Sequence, residues 1–366
     1  MSVSEADGAG APLSISQRGD TASFLGLSLK NSLLNIVTLS LYRFWGKTEI
    51  RRRIWSTTLI NGEPLEYTGR GMELFLGFLF ALLIVGLPFL LIVFGAQLLG
   101  PVLAALVTLP AYLGLLFLFG FGVFTAFRYL ASRTSWRGVR WRLRGSPGDY
   151  GVTYLGYALL SAITLGWFWP AASRRLSGRL WGGLTFGDLH FAFDLDAARR
   201  EKVYGAYALG WVIVAAAYVL FVAMMMSVMG AAVQAGDDGA PPVPDTGMFV
   251  TVYIAAIVFA VAAAVAFAPY TAAALRSVAA GVKVGDARFT LTVTWLEIVW
   301  LSLSNFALVL VSLGFLLPFV QIRTARFVVS RLRPSGNVDL DRVAQTPDTG
   351  PRTGEGLADA FGSSVI

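Results

Sequence analysis

Cysteine is absent from the chain, so disulfides, thiolate metal sites and cysteine catalysis are excluded. Histidine occurs once, at His190, beside Asp188; the pair is either a proton relay or a solvated hairpin turn. Charge is scarce as well. Charged residues make up 14% of 366 residues and hydrophobic ones 56%, against about 25% charged in an average soluble domain. So few charges cannot cover a solvated surface. Phosphate-binding GxxxxGK[ST], zinc-binding HExxH and nucleophile-elbow GxSxG motifs are all missing. No cofactor and no enzymatic activity is expected. The first 23 residues carry Glu5, Asp7 and Asp20 and no cationic lead to an apolar core. No cleavable signal peptide is therefore expected, and the N-terminus should stay on the side of synthesis.

What is present is long apolar runs. Residues 72–99, 101–127, 203–230 and 248–275 each reach the roughly 20 helical residues a hydrocarbon core requires. The first two join at Gly100-Pro101. The second two join through residues 231–247, whose only charges are Asp237, Asp238 and Asp245. Three shorter apolar segments resemble one another: residues 31–45 (NSLLNIVTLSLYRFW), 157–170 (YALLSAITLGWFWP) and 305–318 (NFALVLVSLGFLLP). Each holds a hydroxyl-Leu-small triplet, Thr38-Leu39-Ser40, Thr164-Leu165-Gly166 or Ser312-Leu313-Gly314, and each runs on into bases. Gly and Pro in mid-segment free backbone groups that lipid cannot satisfy, which predicts broken or re-entrant helices buried among others. Short alternating runs with a turn lie between these pieces, at 57–67, 135–143, 184–193 and 278–293, and predict β-hairpins. Residues 12–26 echo residues 64–77, a further sign of internal duplication.

The expected fold is an all-α polytopic membrane protein with internal repeats: four full transmembrane helices, three broken or re-entrant ones, and short cytoplasmic β-hairpins between them. Residues 1–23 form a polar N-terminal tail, 24–333 the membrane domain of repeated hairpin and helix units, and 334–366 a disordered C-terminal tail. Were all seven apolar segments to span, the basic runs at 133–144 and 174–202 would fall on opposite sides, against the positive-inside bias. Re-entry of the three short segments instead puts every base on one face, with both termini cytoplasmic.

Net charge is +7, with 25 Arg to 4 Lys. This balance fits positive-inside topology and anionic lipid headgroups as partners rather than nucleic acid. A homo-oligomer is compatible with it. Polar residues at the breaks, Asn31, Asn35, Thr38, Thr164, Gly166, Asn305, Ser312 and Gly314, are candidates to line a solute path. The arginines beyond them, Arg51, Arg52, Arg53, Arg174, Arg175, Arg323 and Arg326, would ring one vestibule and attract an anionic solute or headgroups; the plainer alternative is interfacial anchoring. Trp45, Trp55, Trp167, Trp169, Trp181, Trp295 and Trp300 fit an interfacial belt. Two readings result: a channel or carrier for a small solute, with anions the candidate class, and a non-catalytic scaffold or lipid-interacting protein with a basic cytoplasmic face.

The runs FLGLSLKNSLLNIVTLSLYRFWGKTEIRRR, LINGEPLEYTGRGMELFLGF and AITLGWFWPAASRR resemble the YjgN family of bacterial inner-membrane proteins, also catalogued as domain of unknown function 898. The resemblance covers about residues 20–333 and departs at Ser40, where the family favours Gly. It implies a bacterial inner membrane and brings no established activity.

Overall fold

The computed structural model describes residues 11–19, 24–235, 246–340 and 343–344. The acidic loop with Asp237, Asp238 and Asp245, most of the C-terminal tail and residues 1–10 and 20–23 lie outside the described residues.

The four long apolar helices are present. Helices α3 (Gly71–Ala81) and α4 (Leu87–Ala96) form one span, Gly71–Leu99, and α5 (Pro101–Ser132) returns. Between α3 and α4 the backbone widens to π geometry at Leu82–Gly86. Pro88 just beyond has no N–H and crowds the carbonyl of Ile84, which explains the bulge. The second pair is α9 (Val203–Ala235) and α10 (Thr246–Ala266). The expected run of this helix to residue 275 is corrected: it breaks at Phe267, and α11 (Ala268–Gly281) restarts with Pro269 in its first turn, where a missing N–H is harmless.

Each shorter apolar segment is a helix-turn-helix: α1 (Leu25–Val37) with α2 (Arg43–Thr57), α6 (Pro147–Ile163) with α7 (Trp169–Gly182), and α12 (Trp295–Val311) with α13 (Leu317–Arg331). The three turns share one geometry. Leu39 and Ser40, Leu165 and Gly166, and Leu313 and Gly314 all have positive φ, between 49° and 91°. The N–H of the second residue reaches back to Asn35, Ser161 or Val309 O at 2.6–2.8 Å. This is a Schellman closure with leucine where glycine is usual. Ser40 adopts the same turn as the glycines, so that departure changes nothing in the backbone.

The all-α expectation is corrected by the sheet. Five helices run directly into strands: α2 into β3 (Thr58–Ile60), α5 into β6 (Thr134–Trp136), α7 into β8 (Leu184–Phe186), α11 into β10 (Val282–Val284) and α13 into β12 (Leu332–Ser335). The first four of these strands turn back through a tight loop, and β12 runs on as the last strand. Their returning partners are β4 (Glu63–Pro64) with β5 (Glu66–Tyr67), then β7 (Val139–Leu143), β9 (Leu189–Phe193) and β11 (Ala287–Leu291). The fifth pairing joins the chain ends: β13 (Asn337–Val338) lies beside β1 (Ala11–Pro12), while β2 (Ile15–Gln17) pairs β3. A short helix α8 (Leu195–Arg199) follows β9.

These ladders join end to end. Eight strands run β12-β11-β10-β9-β8-β7-β6-β5, three run β2-β3-β4, and β1 pairs β13, all antiparallel. Only Leu65 separates β4 from β5, and its N–H continues the ladder to Thr58 O at 3.0 Å. Only Gly336 separates β12 from β13, and its carbonyl accepts from Leu13 between β1 and β2 at 3.4 Å. Counting each interrupted pair as one strand, the thirteen strands of the described residues close into a ten-stranded barrel in which every strand has two neighbours. The sequence patterns predict the individual hairpins; pairing between them is a matter of edges that no local pattern encodes. Residues 11–12 and 15–17, within the polar N-terminal segment, are strand because Asn337–Val338 and Thr58–Ile60 lie beside them.

Candidate functional site: an apolar chamber in the barrel

Alternation fixes which side chains face the barrel axis. Along β11, Ala287, Phe289 and Leu291 are buried while Arg288 and Thr290 are exposed. Along β7, Trp141 packs inward on Phe186 and Phe191, with ring centroids 4.9 and 5.3 Å away, and Arg140 and Arg142 take the other face. One cluster unites Ile60, Trp136, Phe186, Phe191, Val284 and Phe289 with Leu340 and Val343 of the C-terminal segment. That segment crosses the turn end of the barrel. Asp188 N–H donates to Ala344 O at 3.2 Å, and Asp188 Oδ1 accepts from Ala344 N–H at 3.1 Å. The Asp188 carboxylate is thus committed to this strap, while His190 sits exposed across from Thr185.

The interior is not filled. An eight-stranded barrel is just filled by side chains or holds one small ligand, and ten strands enclose more. A cavity of about 540 Å³ lies inside, lined by Trp141, Phe186, Phe191 and Phe289 from the strands and by Trp181 and Leu275 from the capping helices. Among its described lining residues Ser177 supplies the one side-chain hydroxyl. The Trp141 Nε1–H is the other side-chain donor of note: it is buried and has no hydrogen-bond partner. Volume and lining fall in the range of small-molecule sites. None of these chamber residues except Trp181 was singled out by sequence. The usable signal is the two-residue period within single strands, of Val139 and Trp141, of Leu184 and Phe186, and of Leu189, Phe191 and Phe193.

The residues at the breaks are disposed differently. The hydroxyls of Thr38, Thr164 and Ser312 donate to Leu34, Leu160 and Leu308 O at 2.6–2.8 Å. They accept from the N–H of Tyr42, Phe168 and Leu316 at 2.9–3.1 Å. Each hydroxyl staples its own turn. Gly166 O accepts from Tyr207 Oη at 2.9 Å, and Gly314 faces open space. Asn31 is fully buried, its amide 3.5 Å from Gly46 O, and the Oδ1 atoms of Asn31 and Asn35 are buried without partners. Asn305 accepts from Arg323 at 2.8 Å and donates to Thr324 at 3.2 Å.

Superposing the turns on Thr38, Thr164 and Ser312 brings Glu49, Arg175 and Arg323 into register. Each clasps its own two limbs. Glu49 bonds Lys30 at 2.9 Å, Arg175 lies over Tyr157 and Phe168, and Arg323 bonds Asn305. Of the remaining arginines, Arg52 and Arg326 lie at the same offset from their turns, where the second segment has Gly178, and the others fall out of register. Arg51 is buried near Tyr67, Arg52 is exposed, and Arg53 and Arg326 flank the Phe24 ring at 5.6 and 5.7 Å. The first and third segments meet, with Ser32 donating to Phe315 O. Arg174 stands apart from both, against Tyr204. Of the tryptophans, Trp55 donates to Thr134 Oγ1 at 2.9 Å and Trp181 lines the chamber, while Trp167, Trp295 and Trp300 are exposed.

Fold and site together define a polytopic membrane protein whose helices converge on a closed antiparallel barrel with an apolar interior. A sequence family described as a bacterial protein of unknown function (DUF898) matches residues 12–360, and the chain belongs to that family. No curated protein and no solved structure matches it.

Proposed function

We propose that this chain is a non-catalytic, lipid-interacting protein of the bacterial inner membrane, and that its barrel holds an apolar molecule with one hydrogen-bond acceptor, of the acyl-chain class. The chamber carries the reading: an apolar volume of about 540 Å³ with an unpartnered indole N–H suits an acyl chain ending in a carboxyl or ester. Topology supports the membrane placement. Every helical excursion starts and ends at neighbouring strands, so each leaves and returns on one side of the bilayer. This favours four spans, three re-entrant hairpins, a fivefold duplication of helix and hairpin, and a cytoplasmic barrel carrying the outward bases Arg140, Arg142, Lys283 and Arg288. Ala11 pairs with Val338, which puts both ends of the described chain on the barrel side. The carrier reading is weaker because the hydroxyls that would line a polar path are spent inside their own turns.

The test is photolabelling of the detergent-purified protein with a diazirine fatty acid, followed by peptide mapping. Label should fall on the β7–β9 peptides, drop on filling the chamber with Ala279→Phe, and weaken several-fold with Trp141→Phe. Equal labelling of the native protein and the filled variant would sink the proposal.

A further inference from the structure

Outside the barrel, one arginine is buried without a counter-charge. Arg174, in α7, is 8% exposed. Its Nε has no hydrogen-bond partner, and among the described residues no carboxylate forms a salt bridge with it. Other half-buried arginines are paired: Arg133 with Glu73 at 3.0 Å, Arg331 with Glu297 at 2.7 Å and Arg276 with Glu201 at 3.2 Å. A buried guanidinium with the Tyr204 ring beside it still carries an uncompensated desolvation penalty, and an anion is what relieves it. Arg174 lines a cleft of about 520 Å³ together with Arg175, Arg199, Lys202 and Tyr204. The one acid there, Glu201, is already held by Arg276. The floor of the cleft is the start of α9, at the mouth of the span Val203–Gly230, which sets it at headgroup depth.

We infer that this cleft is a phosphate site, filled by the phosphate of an anionic membrane lipid, with Arg174 as the inner ligand and Arg175 and Lys202 at the rim. Guanidinium and phosphate match in a two-pronged geometry, and Arg199 is drawn partly away by Asp196 at 3.2 Å. The site is independent of the chamber, and Ala279→Phe should leave it unchanged.

The experiment is native mass spectrometry of the full chain in neutral detergent, titrated with phosphatidylglycerol, diacylglycerol of the same chains, or inorganic phosphate. Phosphatidylglycerol should be retained, diacylglycerol should not, and inorganic phosphate should compete only weakly. Arg174→Gln should weaken phosphatidylglycerol retention by about ten- to hundredfold, the range for losing one charged hydrogen-bonding partner. Should that variant not fold, Lys202→Gln, at an exposed position, still reads the site and should lose several-fold. Unchanged retention in the folded variants overturns the site. Equal competition by inorganic phosphate overturns the lipid as its source.

Discussion

The barrel and the four spans use apolar side chains in opposite senses. In the barrel they turn inward, buried and exposed positions alternating along β9 and β11, with Arg288 outside. In the spans, only 11%, 6%, 0% and 0% of the most apolar windows is buried within the chain, and Leu91, Leu106, Val219 and Val258 lie bare. One half therefore carries its own core; the other borrows its surroundings as a core. The difference predicts that the same substitution has different consequences in the two halves.

The largest effect should come from inverting the barrel's pattern. Ala287 is fully buried and its neighbour Arg288 is exposed on the opposite face. Ala287→Asp places an unpaired charge in the core and should cost about 4 kcal/mol or more, enough to remove the cooperative unfolding transition in detergent. Thr290→Asp, on the same exposed face, should lower stability by no more than a surface change does, about 0.5 kcal/mol. Comparable losses at Ala287 and Thr290 would mean that the barrel interior is not a closed core. In the spans the solvent is different and so is the readout. Leu91→Asp should leave detergent stability nearly unchanged but penalise membrane insertion by about 3 kcal/mol, measurable as a drop in the membrane-integrated fraction.

The two halves were also unequally legible in sequence. Length and hydropathy alone mark the spans, because a helix satisfies its backbone within itself and needs no partner to be recognised. Hairpins are nearly as local: Asn61-Gly62 and Arg137-Gly138 take the paired positive φ of tight turns. Closure of the barrel is different. It depends on Ala11 finding Val338 and Ile15 finding Ile60, through strands of two and three residues whose alternation is too short to read. The chamber was hidden for the same reason, since a cavity belongs to the ring and not to any one hairpin. Which of the marked arginines meet is equally hidden, because register on a helix is angular; Arg53 and Arg326 come to one ring, that of Phe24. Arg51, Arg174 and Arg326 sit at different offsets from their turns and so point in different directions.

Acid should separate the halves more gently. Asp194 caps α8 and bonds Lys283, which holds its carboxyl at about 2 against an ordinary 3.8. Glu297 bonds Arg331, with help from the Thr294 N–H, and is held at about 2 against 4.5. A depressed folded-state value means the stabilisation is complete above the ordinary values and is lost as pH falls from about 4.5 toward about 2. Both groups are solvent-facing, so the effect is modest and screened by salt. The thermal midpoint of the barrel should fall across that window, and Lys283→Met with Arg331→Met should flatten the dependence. A drop of equal size in the double variant would assign acid sensitivity to other groups.

The smallest effect probes the boundary between the two regions. Leu39, Leu165 and Leu313 hold left-handed backbone, which costs a leucine about 1 kcal/mol relative to glycine. Their side chains are 89%, 72% and 87% exposed, so packing within the chain returns little of that cost. If the three turns are the tips of re-entrant hairpins, each leucine is repaid by lipid instead, at a value of about 1.5–3 kcal/mol for full burial. The sign of the substitution then depends on the solvent. Leu165→Gly should raise the midpoint slightly in a short-chain detergent that leaves the tip hydrated, and lower it in lipid nanodiscs. A gain in both media would place the turn in water and return the re-entrant segments to the barrel's side of the comparison.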